Sequence, residues 1–270
     1  MNLVEQCLCQ KKSFFKPIII YKNDDVFKDY QGIIIGRCLT CGLLKTFPNK
    51  KFNPQTTHLN YYETNKKFFL NLFQPIVKKL QQFKKNGLVL DVGCSSGIML
   101  EILAQKKFDV YGIEINKKAY QIAAKKFPKK IFHGYLADFL KKTKQQFDVI
   151  IYNHVFEHID NLNQEIKLIK KILKNCGILV VGVPNCRNFI FFLRQRFWES
   201  LQPNEHIWHF SDQYLLNYLE KNNFKILDRY YDNDSRKSYS LIKRVYFQSL
   251  IFLNKIFKTG ESVVIYAKKI

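Results

Sequence analysis

The stretch NEHIWHFS, residues 204–211, places Glu205, His206 and His209 close together late in the chain. Imidazole is the side chain that changes charge near neutrality, and a carboxylate beside it can orient it or share its proton, so this segment carries proton-transfer chemistry. A second acid–imidazole pair, Glu157–His158, lies in FEHID. A third group is made of thiols: CLC supplies Cys7 and Cys9, and RCLTCG supplies Cys38 and Cys41. Four thiolates are the ligand set of a tetrahedral structural zinc. The second pair has the usual two-residue spacer; the single-residue spacer of the first departs from it. Cys94, Cys176 and Cys186 lie apart and are expected only to pack.

Something must hold these groups in place. A chain of 270 residues, 47% hydrophobic and 15% aromatic, can bury one substantial core and still carry appendages. Seven cysteines without a secretion-like start argue for metal or free thiols over a disulfide framework. No run approaches the roughly 18 to 20 apolar residues of a membrane span, and the chain is read as cytoplasmic. The net charge of +22 is mostly lysine spread along the whole length. That is the pattern of a solvated surface, although it suits an anionic ligand.

Residues 1–60 read as a small cysteine-rich module, irregular apart from a strand at GIIIGR. Residues 61–87 read as a linker whose apolar spacing predicts an amphipathic helix, interrupted or kinked at Pro75. From residue 88, short apolar strands such as LVLDV, FDVIIY and GILVVGV alternate with helical segments. This order predicts an α/β fold: a Rossmann-like, mostly parallel sheet with helices on both faces over 88–270. Two aromatic, basic insertions, at about 186–212 and 233–259, are expected to act as lids. Functional residues should follow the strand ends, where such sheets bind ligands.

At the first strand end, LVLDVGCSSG offers Asp91, Gly93 and Gly97. Glycines there let a ligand approach backbone amides at a helix start, and the carboxylate favours a cationic amino-acid moiety over a pyrophosphate. Roughly twenty residues further on, Glu114 ends the second strand, where an acid can accept both hydrogen bonds of a ribose diol.

These motifs resemble those of class I S-adenosylmethionine-dependent methyltransferases, over residues 88–183 and more loosely to the end. The resemblance implies that Asp91, Gly93 and Gly97 hold the methionine part of S-adenosylmethionine and Glu114 its ribose. It also implies that Asp138, with Phe139 beside it in GYLADFL, meets the adenine, and that Asn153 and His154 line the methyl-transfer site. His158 would then be the base near the methyl group. Glu157 would orient a helix or, as in some relatives, help bind a metal. Glu205 and His206 are assigned to chemistry or substrate binding, Trp208 to packing and Ser211 to a helix N-cap.

A narrower likeness is to methyltransferases of nucleotide-linked sugars. They combine a zinc module, a tyrosine-bearing linker, the class I core and a Glu-His pair before an aromatic residue and Ser. Here that order is Cys7, Cys9, Cys38 and Cys41; Tyr61 and Tyr62 in NYYET, with Tyr62 near the chemistry; the core; then EHIWHFS. It implies a small polar or lipid-linked saccharide acceptor. The insertions mix bulky apolar residues with Lys and Arg, as interfacial helices do, so a membrane-surface binding protein using the same fold is the second reading, and peripheral membrane contact is compatible with either. A nucleic-acid substrate ranks third: YNHVF lacks the Asn/Asp-Pro-Pro-aromatic motif used on exocyclic amines.

Overall fold

The computed structural model describes residues 3–22, 25–48, 63–232 and 241–270. Four strands come first: β1 (Leu3–Cys7), β2 (Gln10–Ile20), β3 (Ile34–Cys38) and β4 (Leu44–Phe47). The helix α1 (Lys66–Phe83) follows and runs through Pro75 as one element. Then come β5 (Gly87–Val92), α2 (Ile98–Gln105), β6 (Phe108–Glu114), α3 (Lys117–Lys126), β7 (Ile131–His133), α4 (Leu136–Lys142) and β8 (Phe147–Asn153). The remainder is α5 (Leu162–Ile172), β9 (Leu173–Pro184), α6 (Phe189–Arg194), β10 (Trp208–His209), α7 (Asp212–Lys221), β11 (Phe224–Asp232), α8 (Leu241–Ile256) and β12 (Ser262–Lys269).

Seven strands form the main sheet in the order β11-β12-β9-β8-β5-β6-β7. β7, β6, β5, β8 and β9 are parallel to one another, whereas β12 runs antiparallel to both β9 and β11. The order reverses between β5 and β8, which puts a crevice at their carboxyl ends. Successive residues of each inner strand serve opposite faces. Leu90, Ile150, Tyr152 and Leu179 join one apolar cluster, with α5 and α7, while Val89, Val149, Ile151 and Val180 join the other, with α1 and α2. Burial on both faces explains why these strands read as near-continuous apolar runs.

Two expectations need revision. The first sixty residues are not irregular where they are described: β1 to β4 pair antiparallel in a second sheet. Nor do they stand apart. β10, from the late NEHIWHFS segment, adds to β4 as the fifth strand, pairing Trp208 with Lys45 and His209 with Leu44. Cys7, Phe15, Cys38 and Phe47 pack into the same apolar cluster as the main sheet. The helix expected to link the two parts is itself a core layer, burying Ile76, Val77 and Leu80.

Candidate active site

A cavity of about 920 Å³ opens at the carboxyl ends of the parallel strands, a size typical of small-molecule sites. At one end stands the turn after β5. Gly93 and Gly97 have φ of 79° and 86°, a left-handed conformation that glycine adopts without penalty. A Cβ on Gly93 would lie 2.6 Å from Val155 Cγ2, so the absence of a side chain there is also steric. Gly93 N and Cys94 N both donate to Ile113 O, at 2.8 and 3.1 Å, which ties the turn to β6.

Two buried carboxylates face this end. Asp91 is raised to about 7, first by burial and then by the charge of Glu114. Glu114 is also raised by burial, a shift that backbone hydrogen bonds partly oppose. It accepts from Ser95 N at 2.7 Å through Oε2 and from Asn116 N at 2.6 Å through Oε1. Each oxygen keeps a further lone pair, so Glu114 can brace the turn and still receive a diol. A cationic amino-acid moiety beside Asp91 would relieve the cost of two like charges in one buried place.

Beside this turn, the cavity wall continues with β8 and residues 204–211. Asn153 and His154 line the cavity after β8. His154 has φ of 57°, costly for a non-glycine residue, and its N–H donates to Gly182 O at 2.8 Å. Its Nδ1 lies 3.4 Å from Glu157 Oε1. Burial lowers the His154 pKa, but the Glu157 carboxylate more than offsets this and the net shift is upward. Glu157 is 1% exposed. Burial pushes Glu157 upward, yet His154 and the other surrounding imidazoles hold it down at about 2.

His158 and His206 stand with ring centroids 4.8 Å apart, and both line the cavity together with Glu205. His158 Nδ1 meets the Glu205 carbonyl at 2.9 Å. A carbonyl only accepts, so this nitrogen carries the hydrogen. Ile207 N donates to Glu157 O at 2.8 Å, and Thr46 N donates to Ile207 O at 2.9 Å. The late segment is thus stitched between the turn after β8 and strand β4. His206 and His209 are both lowered to about 3, mainly by burial, so their rings are neutral at ordinary pH.

Some expected residues lie elsewhere. Asp138 pairs with Lys141 at 2.8 Å on the surface of α4, and Phe139 packs against Phe132 and Phe147. Neither lines the cavity; Tyr135 and Leu136, just before them, do. Residue spacing alone does not decide which side of a short helix faces inward. Tyr61 and Tyr62 lie outside the described residues. Trp208 is buried and its Nε1 donates to Ile159 O at 2.9 Å, while Ser211 Oγ caps α7 by accepting from Tyr214 N at 3.1 Å.

The four cysteines converge. Cys7 and Cys41 Sγ are 3.6 Å apart, Cys9 and Cys38 Sγ are 3.8 Å apart, and all four sulfurs lie within 4.8 Å of one another. Zinc–sulfur bonds of about 2.3 Å in a tetrahedron require sulfurs about 3.8 Å apart, so the residues present fit such an ion despite the one-residue spacer.

The family described as "Methyltransferase domain" matches residues 59–229. The chain belongs to that family. The chain is 29% identical, over 53% of its length and 62% of the relative's, to "Ubiquinone biosynthesis O-methyltransferase" of Pelagibacter ubique. It spans less than two thirds of the length of the curated relatives it matches first. Its fold is similar to that of a SAM-dependent methyltransferase from Archaeoglobus fulgidus, with TM-score 0.57, 21% identity and coverage of 77% and 99% of the two chains. It is also similar to magnesium protoporphyrin IX methyltransferase from Synechocystis PCC 6803 with bound SAH, with TM-score 0.52, 17% identity and coverage of 75% and 84%.

Proposed function

We propose that the protein methylates a small polar acceptor, a nucleotide-linked or lipid-linked saccharide, at an oxygen or carbon atom. One observation carries this reading: the carboxylates Asp91 and Glu114 and the group His158, Glu205 and His206 line one cavity. S-adenosylmethionine, when bound, supplies an electrophilic methyl group. Asp91 would hold its amino-acid moiety, Glu114 its ribose, and Tyr135 and Leu136 would flank its adenine. Gly93 and Gly97 keep the backbone open to it. Asn153 and His154 border the acceptor side, where His158, Glu205 and His206 position the acceptor and take its proton. Cys7, Cys9, Cys38 and Cys41 would hold a structural zinc.

A lipid-linked acceptor is favoured by one surface. Phe192, Leu193, Phe197, Phe252 and Phe257 are exposed on α6, α8 and the segments that follow them, beside Arg194, Arg196, Lys255 and Lys258. The first of these segments runs directly into Glu199 and Ser200 at the cavity. Apolar rings among cations suit an anionic membrane surface. Among the described residues no helix is long and apolar enough to cross a membrane. The printed name of the Pelagibacter relative supports oxygen as the accepting atom.

The test is a screen of nucleotide sugars, lipid-linked saccharides and a quinone-type phenol with radiolabelled methyl donor. Label is expected in a saccharide. Failure of the folded protein to bind either S-adenosylmethionine or S-adenosylhomocysteine overturns the methyltransferase reading altogether.

A further inference from the structure

The wall of the cavity runs against the charge of the chain. Lysines and arginines number 44 against 22 aspartates and glutamates, a net charge of +22. Among the described residues that line the cavity, however, eight are acids and none is lysine or arginine. The imidazoles add little positive charge: burial lowers His206 to about 3, which leaves it neutral, and His154 is taken up by the Glu157 carboxylate at 3.4 Å. In a recessed place such a wall attracts cations and repels anions. S-adenosylmethionine, with one net positive charge, would meet Asp91 and Glu114 and leave the other acids to the acceptor.

Two of these acids stand where β9, β12 and β11 lie side by side. Asp232, the last residue of β11, pairs with Ser262 across the antiparallel ladder, Ser262 pairs in turn with Pro184 at the end of β9, and Glu261 precedes Ser262 in the chain. All four residues line the cavity. Glu261 is 4% exposed, and its Oε1 accepts from Trp198 Nε1 at 3.1 Å and from Ser200 Oγ at 3.2 Å. Those bonds fix the carboxylate against the segment that follows α6. The charge of Asp232 reaches the His154 ring: burial lowers the pKa of that ring, and Glu157 and then Asp232 raise it. Glu165 is engaged by the Tyr152 hydroxyl at 2.6 Å and Glu199 by Arg194 Nη1 at 3.7 Å, so these two add less to the negative field.

We propose that the acceptor carries a protonated amino group held by Asp232 and Glu261, which narrows the saccharide to an amino sugar. An ammonium has three N–H donors and no acceptor, so two carboxylates at neighbouring positions suit it, and their charges offset its loss of water. The same wall discriminates against other sugars. An N-acetyl group brings a neutral amide and leaves the desolvated carboxylates without a charge partner, and a diphosphate drawn inside would meet like charge. The phosphates of a nucleotide-linked or lipid-linked acceptor therefore stay outside the cavity. This inference rests on the methyltransferase reading and deepens it by giving the acceptor a charge. The ammonium is bound and is not the atom methylated; the proton lost in the reaction comes from the accepting hydroxyl or carbon.

The test is calorimetric titration of the full chain, with and without S-adenosylhomocysteine, at about pH 7, where amines are largely protonated. The probes are glucosamine, galactosamine and mannosamine, each set against its N-acetyl form. At least one amine is expected to bind tenfold or more tighter than its N-acetyl form, and this preference to fall tenfold or more in Glu261→Gln and in Asp232→Asn. Glutamine keeps the oxygen that Trp198 and Ser200 use, and S-adenosylhomocysteine affinity within twofold of wild type reports that each variant is folded. Asp232→Asn, at a half-buried position, decides the matter where Glu261→Gln fails that check. Binding of no amine, N-acetyl forms bound as tightly as the amines, or a preference that survives in either folded variant overturns the proposal. A wild-type chain that binds an amine but not S-adenosylhomocysteine would instead strike the methyltransferase reading.

Discussion

Thr46 Oγ lies 2.7 Å from the His206 carbonyl and 2.9 Å from His209 Nε2. The carbonyl can only accept, so the hydroxyl donates to it and receives the Nε2–H of His209. A single residue of the cysteine-bearing sheet thus fixes one histidine's backbone and another's tautomer. Thr46→Val removes both bonds at a buried position and leaves the His209 N–H without a partner, a loss of about 1–3 kcal/mol in stability. Turnover is expected to fall about 10- to 100-fold through displacement of His206, with S-adenosylhomocysteine affinity within twofold of wild type. Thr46→Ser should restore turnover. Equal losses in turnover and cofactor affinity would contradict a positioning role.

The Asp91 carboxyl gives a pH dependence of definite sign. Its folded value of about 7 lies well above the unfolded value of about 3.9. The protonated form is therefore favoured by the fold. The resulting stability is fully present below pH ~4 and is lost as pH rises through 7, by roughly 4 kcal/mol in all. Glu114 is shifted in the same direction. A ligand ammonium beside Asp91 stabilises the ionised form, so cofactor affinity should rise with pH up to about 7 and binding should release a proton. Calorimetry in buffers of different ionisation enthalpy measures that proton. In Asp91→Asn the release should be smaller, the apoprotein melt flatter with pH, and the affinity about tenfold or more lower.

The parallel sheet was legible because its strands are buried on both faces and its turn residues need particular backbone angles. Asp91, Gly93 and Glu114 could therefore be located from local pattern. Pairing between distant segments was not legible. Nothing local in WH announces that Trp208 and His209 will extend β4, and the antiparallel strands around CLC carry no strict alternation. The side of α4 that faces the cavity was not legible for a similar reason: Tyr135 and Leu136 line it, whereas Asp138, two residues on, pairs with Lys141. The likeness of FEH to a catalytic pair was visible, whereas the burial of Glu157 could emerge only in three dimensions.

The cysteine cluster should matter to turnover although it lies outside the cavity. Zinc held by Cys7, Cys9, Cys38 and Cys41 would clamp β1 to the loop before β4, and β4 carries β10. Cys38→Ser, or removal of zinc by a chelator, is expected to lower the melting temperature by about 5–10 °C and to reduce turnover more than S-adenosylhomocysteine affinity. Elemental analysis and thermal melts check this. A wild-type chain free of zinc whose melt ignores the chelator would remove the structural role.

Gly93 offers a test of close approach. Its φ is 79°, and a Cβ there would stand 2.6 Å from Val155 Cγ2. Gly93→Ala therefore combines a left-handed alanine, costing about 1 kcal/mol, with a collision. The collision forces Val155 away from the turn or tilts the turn away from Glu114, and either change reshapes the cofactor end of the cavity. Affinity for S-adenosylhomocysteine should fall tenfold or more. Val155→Ala deletes the colliding methyl and leaves the φ cost, so the double variant should recover part of both melting temperature and affinity. Such non-additivity is the signature of direct contact. Strictly additive losses would mean that Val155 does not limit the space above Gly93, and that the glycine is required for its backbone angle alone.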